Sequence, residues 1–73
     1  MAMKRVKPSK RRALAAINAA GEGVWAITHD PSGIAGRTDT YWYQPAEGGA
    51  ERAVLRLHFY APNTAPCGME VSA

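Results

Sequence analysis

A chain of 73 residues allows one domain with a marginal core, because a domain of that size buries only about 60% of the surface its unfolded chain exposes. With 47% hydrophobic residues it is not composed like a disordered chain, and a single cysteine, Cys67, excludes an internal disulfide. The net charge of +3 is divided: Lys4, Arg5, Lys7, Lys10, Arg11 and Arg12 carry +6 with no acid among them, and the remaining residues carry three cations against six acids, or −3.

A dense cationic stretch attracts polyanions at long range, whatever fold lies behind it. The lone thiol fits a reducing compartment, so the cytoplasm is the expected location. The basic start runs into Pro8 and further charge instead of an apolar segment, so it does not read as a secretory signal. Ala13 to Ala20, the longest near-apolar stretch, is far too short to span a bilayer, and no membrane partner is expected. A zinc site would have to draw on Cys67, His29, His58 and an acid, with no close-spaced ligand pair among them. No metal or other cofactor is therefore expected.

Taken in chain order, residues 1–8 read as a flexible basic arm ending at Pro8. Ser9 is a good N-cap for a helix over 9–20, with Ala13, Leu14, Ile17 and Ala20 at helical spacing and Gly21 as its stop. Lys10, Arg11 and Arg12 then occupy the first turn, where the helix dipole disfavours each cation by roughly 0.3–1 kcal/mol. An anionic partner would offset that cost. Val24 to His29 reads as a strand, followed by a turn at Asp30-Pro31-Ser32-Gly33 and a loop over 34–38. Thr38 to Gln44 is a second strand, and Pro45 to Gly49 closes a hairpin onto a third, Arg52 to Tyr60. With Pro62 and Pro66, residues 62–73 read as an extended tail, with room for a short final strand at Met69–Val71.

The third strand alternates. Ala53, Leu55, Leu57 and Phe59 point to one side, and Arg52, Val54, Arg56, His58 and Tyr60 to the other, as a half-buried antiparallel strand requires. Joining Trp25, Ile27 and Trp42 to the apolar side predicts an α+β fold: one N-terminal helix on a three-stranded antiparallel meander, αβββ, spanning 9–61. The opposite face is expected to display Tyr41, Tyr43, Arg56, His58 and Tyr60 as a binding surface. Tyrosines interleaved with cations can stack exposed bases while the cations meet phosphates. The same residue types are enriched at protein interfaces, including homodimer seams.

Two glycine motifs carry little. Gly33-Ile34-Ala35-Gly36 has the GxxG letters of a phosphate-approaching loop, but it follows a strand where such a loop joins helices. Its glycines read as loop geometry, with Arg37 free to meet a phosphate. Gly21-Glu22-Gly23 opens a strand, the reverse of a dinucleotide site. No catalytic constellation stands out, so the expected function is a small non-catalytic nucleic-acid-binding module or regulator. Lys4, Arg5, Lys7, Lys10, Arg11, Arg12 and Arg37 would contact nucleic acid or an acidic partner. The alternative is a stand-alone protein-binding inhibitor or adaptor, of the kind encoded by phages and mobile elements, that blocks a larger nucleic-acid-handling complex.

Overall fold

The computed structural model describes residues 2–72. In chain order the elements are β1 (Met3–Val6), α1 (Lys10–Ala20), β2 (Gly23–Ser32), β3 (Gly36–Pro45), β4 (Arg52–Tyr60) and β5 (Gly68–Ser72). The fold is α+β, with one helix and a five-stranded sheet in the order β1-β5-β4-β3-β2, every neighbouring pair antiparallel.

The expected meander is present as β2-β3-β4, but it is three-fifths of the sheet. Met3–Val6, inside the stretch read as a flexible arm, is the edge strand β1. Gly68–Ser72, inside the stretch read as an extended tail, is β5 and lies between β1 and β4. Met1 and Ala73 lie outside the described residues. The two ends of the chain pair with each other in the register Met3↔Ser72 to Val6↔Met69, so β1 has its partner at the far end of the sequence, while β5 also pairs with β4, the strand just before it.

Helix α1 begins where the local chemistry requires. The Ser9 hydroxyl accepts the Arg12 backbone N–H at 3.2 Å, which satisfies one of the first-turn donors. It ends at Gly21, whose φ of 90° is costly for any residue with a Cβ and whose N–H donates to the Asn18 carbonyl. The β2–β3 hairpin turns through Gly33-Ile34-Ala35, three residues later than Asp30-Pro31 suggested, with Ser32 paired to Gly36. Gly33 has a φ of 70°, and a Cβ on Gly36 would lie 2.1 Å from the Ser32 carbonyl oxygen. Both glycines of the GxxG motif are thus accounted for by a tight hairpin.

Cross-strand partners share a face, as do residues two apart along a strand. One face accordingly carries Trp25, Ile27 and His29 of β2, Arg37, Asp39, Tyr41 and Tyr43 of β3, and Leu55, Leu57 and Phe59 of β4. Val71 and Met69 of β5 join them, with Lys4 and Val6 of β1. Helix α1 packs over β4 and β5 on this side, with Ala13 beside Leu57 and Met69 at the rim of a groove of about 350 Å³. Val54, Leu55 and Met69, each 1% exposed, are the centre of the core.

Five side chains, Arg52, Val54, Tyr41, Trp42 and Tyr43, fall on other sides than the alternation implied. The register shifts between Tyr41 and Trp42: Tyr41 opposes Leu55 but Trp42 opposes Ala53, so Val54 is an extra residue in a β-bulge. The bulge turns Val54 into the core and brings Arg52 opposite Tyr43. In the same register Tyr41 and Tyr43 lie on the helix-bearing face, and Trp42 lies on the other. Leu14 and Ile27, expected in the core, are exposed, because the helix covers β4 and β5 and stops short of β2.

Candidate binding surface

The face away from the helix has no second layer among the described residues. It carries Met3 and Arg5 from β1, Glu70 and Ser72 from β5, Arg56, His58 and Tyr60 from β4, Thr38, Thr40 and Trp42 from β3, and Val24, Ala26 and Thr28 from β2. Of the five residues expected on this surface, Arg56, His58 and Tyr60 are there. Tyr41 and Tyr43 are not. Tyr43 is 5% exposed, its hydroxyl donates to the Glu22 carbonyl at 2.7 Å, its ring stacks at a tilt against Trp25, and Arg52 lies over it. It is a core residue that ties the helix exit to β3.

Two residues of this face were expected elsewhere, Trp42 in the core and Arg5, a candidate contact residue, on a flexible arm. Trp42 lies across the face with its indole N–H donating to the Thr28 hydroxyl at 3.0 Å, which fixes the ring along the strands. Arg5 enters through β1, beside Glu70 and in the same row as Arg56. The signal for Trp42 was weak in principle: Tyr41-Trp42-Tyr43 is aromatic at every position, so hydropathy cannot tell which parity faces the core.

Across the centre of this face runs a chain of hydrogen bonds. His58 Nε2 stands 2.8 Å from a Glu70 carboxylate oxygen, and His58 Nδ1 stands 3.0 Å from the Thr38 hydroxyl. A carboxylate only accepts, so Nε2 carries a proton; in the neutral ring Nδ1 then accepts from Thr38. Thr38 and His58 are direct cross-strand partners, and Gly68 opposite His58 leaves the ring its space. Cys67 donates its backbone N–H to the His58 carbonyl at 2.7 Å. The arrangement fixes the His58 ring on the surface.

The six N-terminal cations are all exposed, and among the described residues none is engaged in an ion pair. They are divided by the fold. Lys4 points to the helix-bearing side of the β1 edge and Arg5 to the bare side. Lys7 follows β1, while Lys10, Arg11 and Arg12 form the first turn of α1, which has no acid.

Arg37 is placed differently. It lies on the helix-bearing face, where its Nε donates to Asp39 Oδ1 at 2.9 Å and its guanidinium stands 4.5 Å over the Phe59 ring. His29 Nδ1 lies 2.7 Å from the same Asp39 oxygen. Burial of Asp39 raises its carboxyl pKa, but the hydrogen bonds from His29 and Arg37 and their charges more than offset this, and the net shift is downward. Arg37 is therefore part of a structural ion pair, separate from the N-terminal cations. Among the described residues no group of three or more His, Cys, Asp and Glu stands together as metal ligands would, and no helix is long and apolar enough to cross a membrane.

Compared with protein-family models, curated proteins and solved structures, the chain matches none.

Proposed function

We propose that the protein is a small non-catalytic module that binds single-stranded nucleic acid across the bare sheet face and the β1 edge. The observation that supports this most is the joining of two surfaces. The unpaired cations Lys4, Arg5 and Lys7 sit on an ordered edge strand and its exit, and Arg5 continues into a face that offers Arg56, His58, Trp42 and Tyr60. Tyr60 is 58% exposed, so one of its ring faces is open to a base. Stacking of that kind contributes about 1–3 kcal/mol per base, and the cations supply a salt-dependent attraction.

Fluorescence anisotropy with labelled single-stranded DNA and RNA tests the reading. Four to six phosphate contacts imply a log–log salt slope of about −3 to −4, since single strands give about −0.7 per contact. Replacing Lys7, Arg11 and Arg12 by Ala should reduce the slope, and Tyr60→Ala should weaken binding at every salt concentration. No binding of either nucleic acid at low salt sinks the proposal.

A second reading, a protein-binding inhibitor or adaptor, draws on the charge balance of the bare face. Arg5 and Arg56 are there matched by Glu70 and Asp30, which suits a protein surface as well as a phosphate backbone. A pull-down with and without nuclease separates the two: nuclease-resistant recovery of one large complex would favour the adaptor.

A further inference from the structure

We propose that β2 pairs edge to edge with the β2 of a second copy of this chain, antiparallel and about a two-fold axis at Ile27, so that two sheets become one. This is independent of nucleic-acid binding, which uses the opposite edge.

The two edges of the sheet are built differently. β1 is four residues long and carries Lys4 and Arg5, with Lys7 just beyond. Short length and charge are the usual means of keeping a sheet edge from pairing with another chain. β2 is ten residues long and has no Lys or Arg; its one acid, Asp30, and its proline, Pro31, lie near the end. The bulge that irregularises the sheet lies between β3 and β4, so β2 keeps a regular register with β3 throughout. Helix α1 covers β4 and β5. None of these protections reaches Gly23 to His29.

Pro31 indicates which groups are open. It pairs with Arg37 inside the ladder, and a proline in a paired strand is placed with its missing N–H on the unpaired side. Alternation along the strand then gives His29, Ile27, Trp25 and Gly23 backbone N–H and C=O groups directed away from β3. These are the groups a further strand would bond.

A second copy fits this edge by its own sequence. With Ile27 opposite Ile27 of the second copy, Trp25 meets His29, Gly23 meets Pro31, Val24 meets Asp30 and Ala26 meets Thr28. No like charges are opposed, and the small Gly23 falls across from the proline ring. Ile27, 48% exposed, and Val24, 64% exposed, would both lose water contact. β2 has the most to gain, because Trp25 is the one residue along it that is even half-buried and the others are exposed. A strand supported almost entirely by its ladder is well served by a second ladder.

Sedimentation equilibrium of the full chain over a wide dilution range tests the proposal. The expected mass is two chains, falling towards one on dilution. Ile27→Lys should give a one-chain mass with an unchanged circular dichroism spectrum, and Ile34→Lys, at the hairpin tip, should keep the two-chain mass. Should Ile27→Lys fail to fold, cross-linking decides. In a Cys67→Ser background, Ile27→Cys should oxidise rapidly to a disulfide-linked dimer, because directly opposed residues stand about 5.5 Å apart at Cα, within disulfide range. Ile34→Cys should not. A one-chain mass for the unaltered protein at every concentration overturns the proposal, as does a two-chain mass that survives Ile27→Lys. Capture of a different protein's strand by a monomeric chain also overturns it.

Discussion

Val54→Ala tests the placement of the bulge more sharply than any other change. Simple alternation from Leu55 puts Val54 on the solvent side, where losing two methyl groups would matter little. The bulge instead buries Val54 to 1% exposure beside Leu55. Each buried methylene-sized group contributes about 0.8 kcal/mol, and the unfilled space adds a cavity cost. A loss of roughly 2 kcal/mol follows. In a domain of this size 1 kcal/mol moves the melting temperature by about 4–8 °C, so Val54→Ala should melt about 8–16 °C lower. Ile34→Ala is the control, an aliphatic truncation at the fully exposed tip of the β2–β3 hairpin and outside the proposed seam, and should stay within about 0.5 kcal/mol. Urea unfolding of both variants at one fixed protein concentration, with unchanged m-values, gives the comparison. Equal losses at the two sites would mean that Val54 is not in the core and that β4 runs without a bulge.

Two further changes follow from the helix-bearing face. Asp39 has a pKa lowered by His29 and Arg37 against the opposing effect of burial, so its contribution to stability is present above the ordinary aspartate value of 3.8 and is lost as pH falls through the lowered value; in acid titrations followed by tryptophan fluorescence, Asp39→Asn should be less stable than the parent near neutrality and should lose the difference as the pH drops below about 4. Gly23→Ala should be far more damaging than its size suggests, since its Cβ would lie 2.3 Å from the Gln44 carbonyl oxygen and 2.6 Å from the Tyr43 ring, and thermal melts should show a larger loss than for Gly49→Ala, where strain from a φ of 116° acts but nothing stands within 4 Å.

The parts of this fold that were legible are those whose chemistry is local. Ser9 and Gly21 bracket α1 because capping acts over one turn, and β4 declared its bounds by alternating over Leu55, Leu57 and Phe59. β5 was legible only as a possible short strand over Met69–Val71, inside the observed Gly68–Ser72, and β1 was illegible for the opposite reason. Met-Lys-Arg-Val is too charged and too short to look like a strand, and it becomes one only because residues from the far end of the chain lie beside it. The surface was half legible. Arg56, His58 and Tyr60 follow from the parity of β4 beyond the bulge. The positions of Tyr41, Trp42 and Tyr43 depend on a register that three consecutive aromatics do not encode. The contacts His29–Asp39 and Thr38–His58 needed the register as well. His29 and Asp39 are equidistant from Ile34, so a turn placed there, and not at Asp30-Pro31, would have paired them.

The path of α1 also accounts for how little of the sheet it covers. β1 and β2 flank α1 in sequence but occupy opposite edges of the sheet, so the helix and its connectors must carry the chain from one edge to the other. Five strands at about 4.8 Å spacing put the edge strands roughly 19 Å apart, and the 11 residues of α1 span about 16 Å. The helix is consumed by that crossing and can cover only part of one face. The other described residues lie in strands and their connections, and none of them covers the other face or the β2 edge. One face carries fixed polar and aromatic groups beside cations outside any ion pair among the described residues, while the β2 edge carries no Lys or Arg, one acid near its end, and no cover. That difference in chemistry is why the two proposals assign them different partners, nucleic acid to the first and a second copy of the chain to the second.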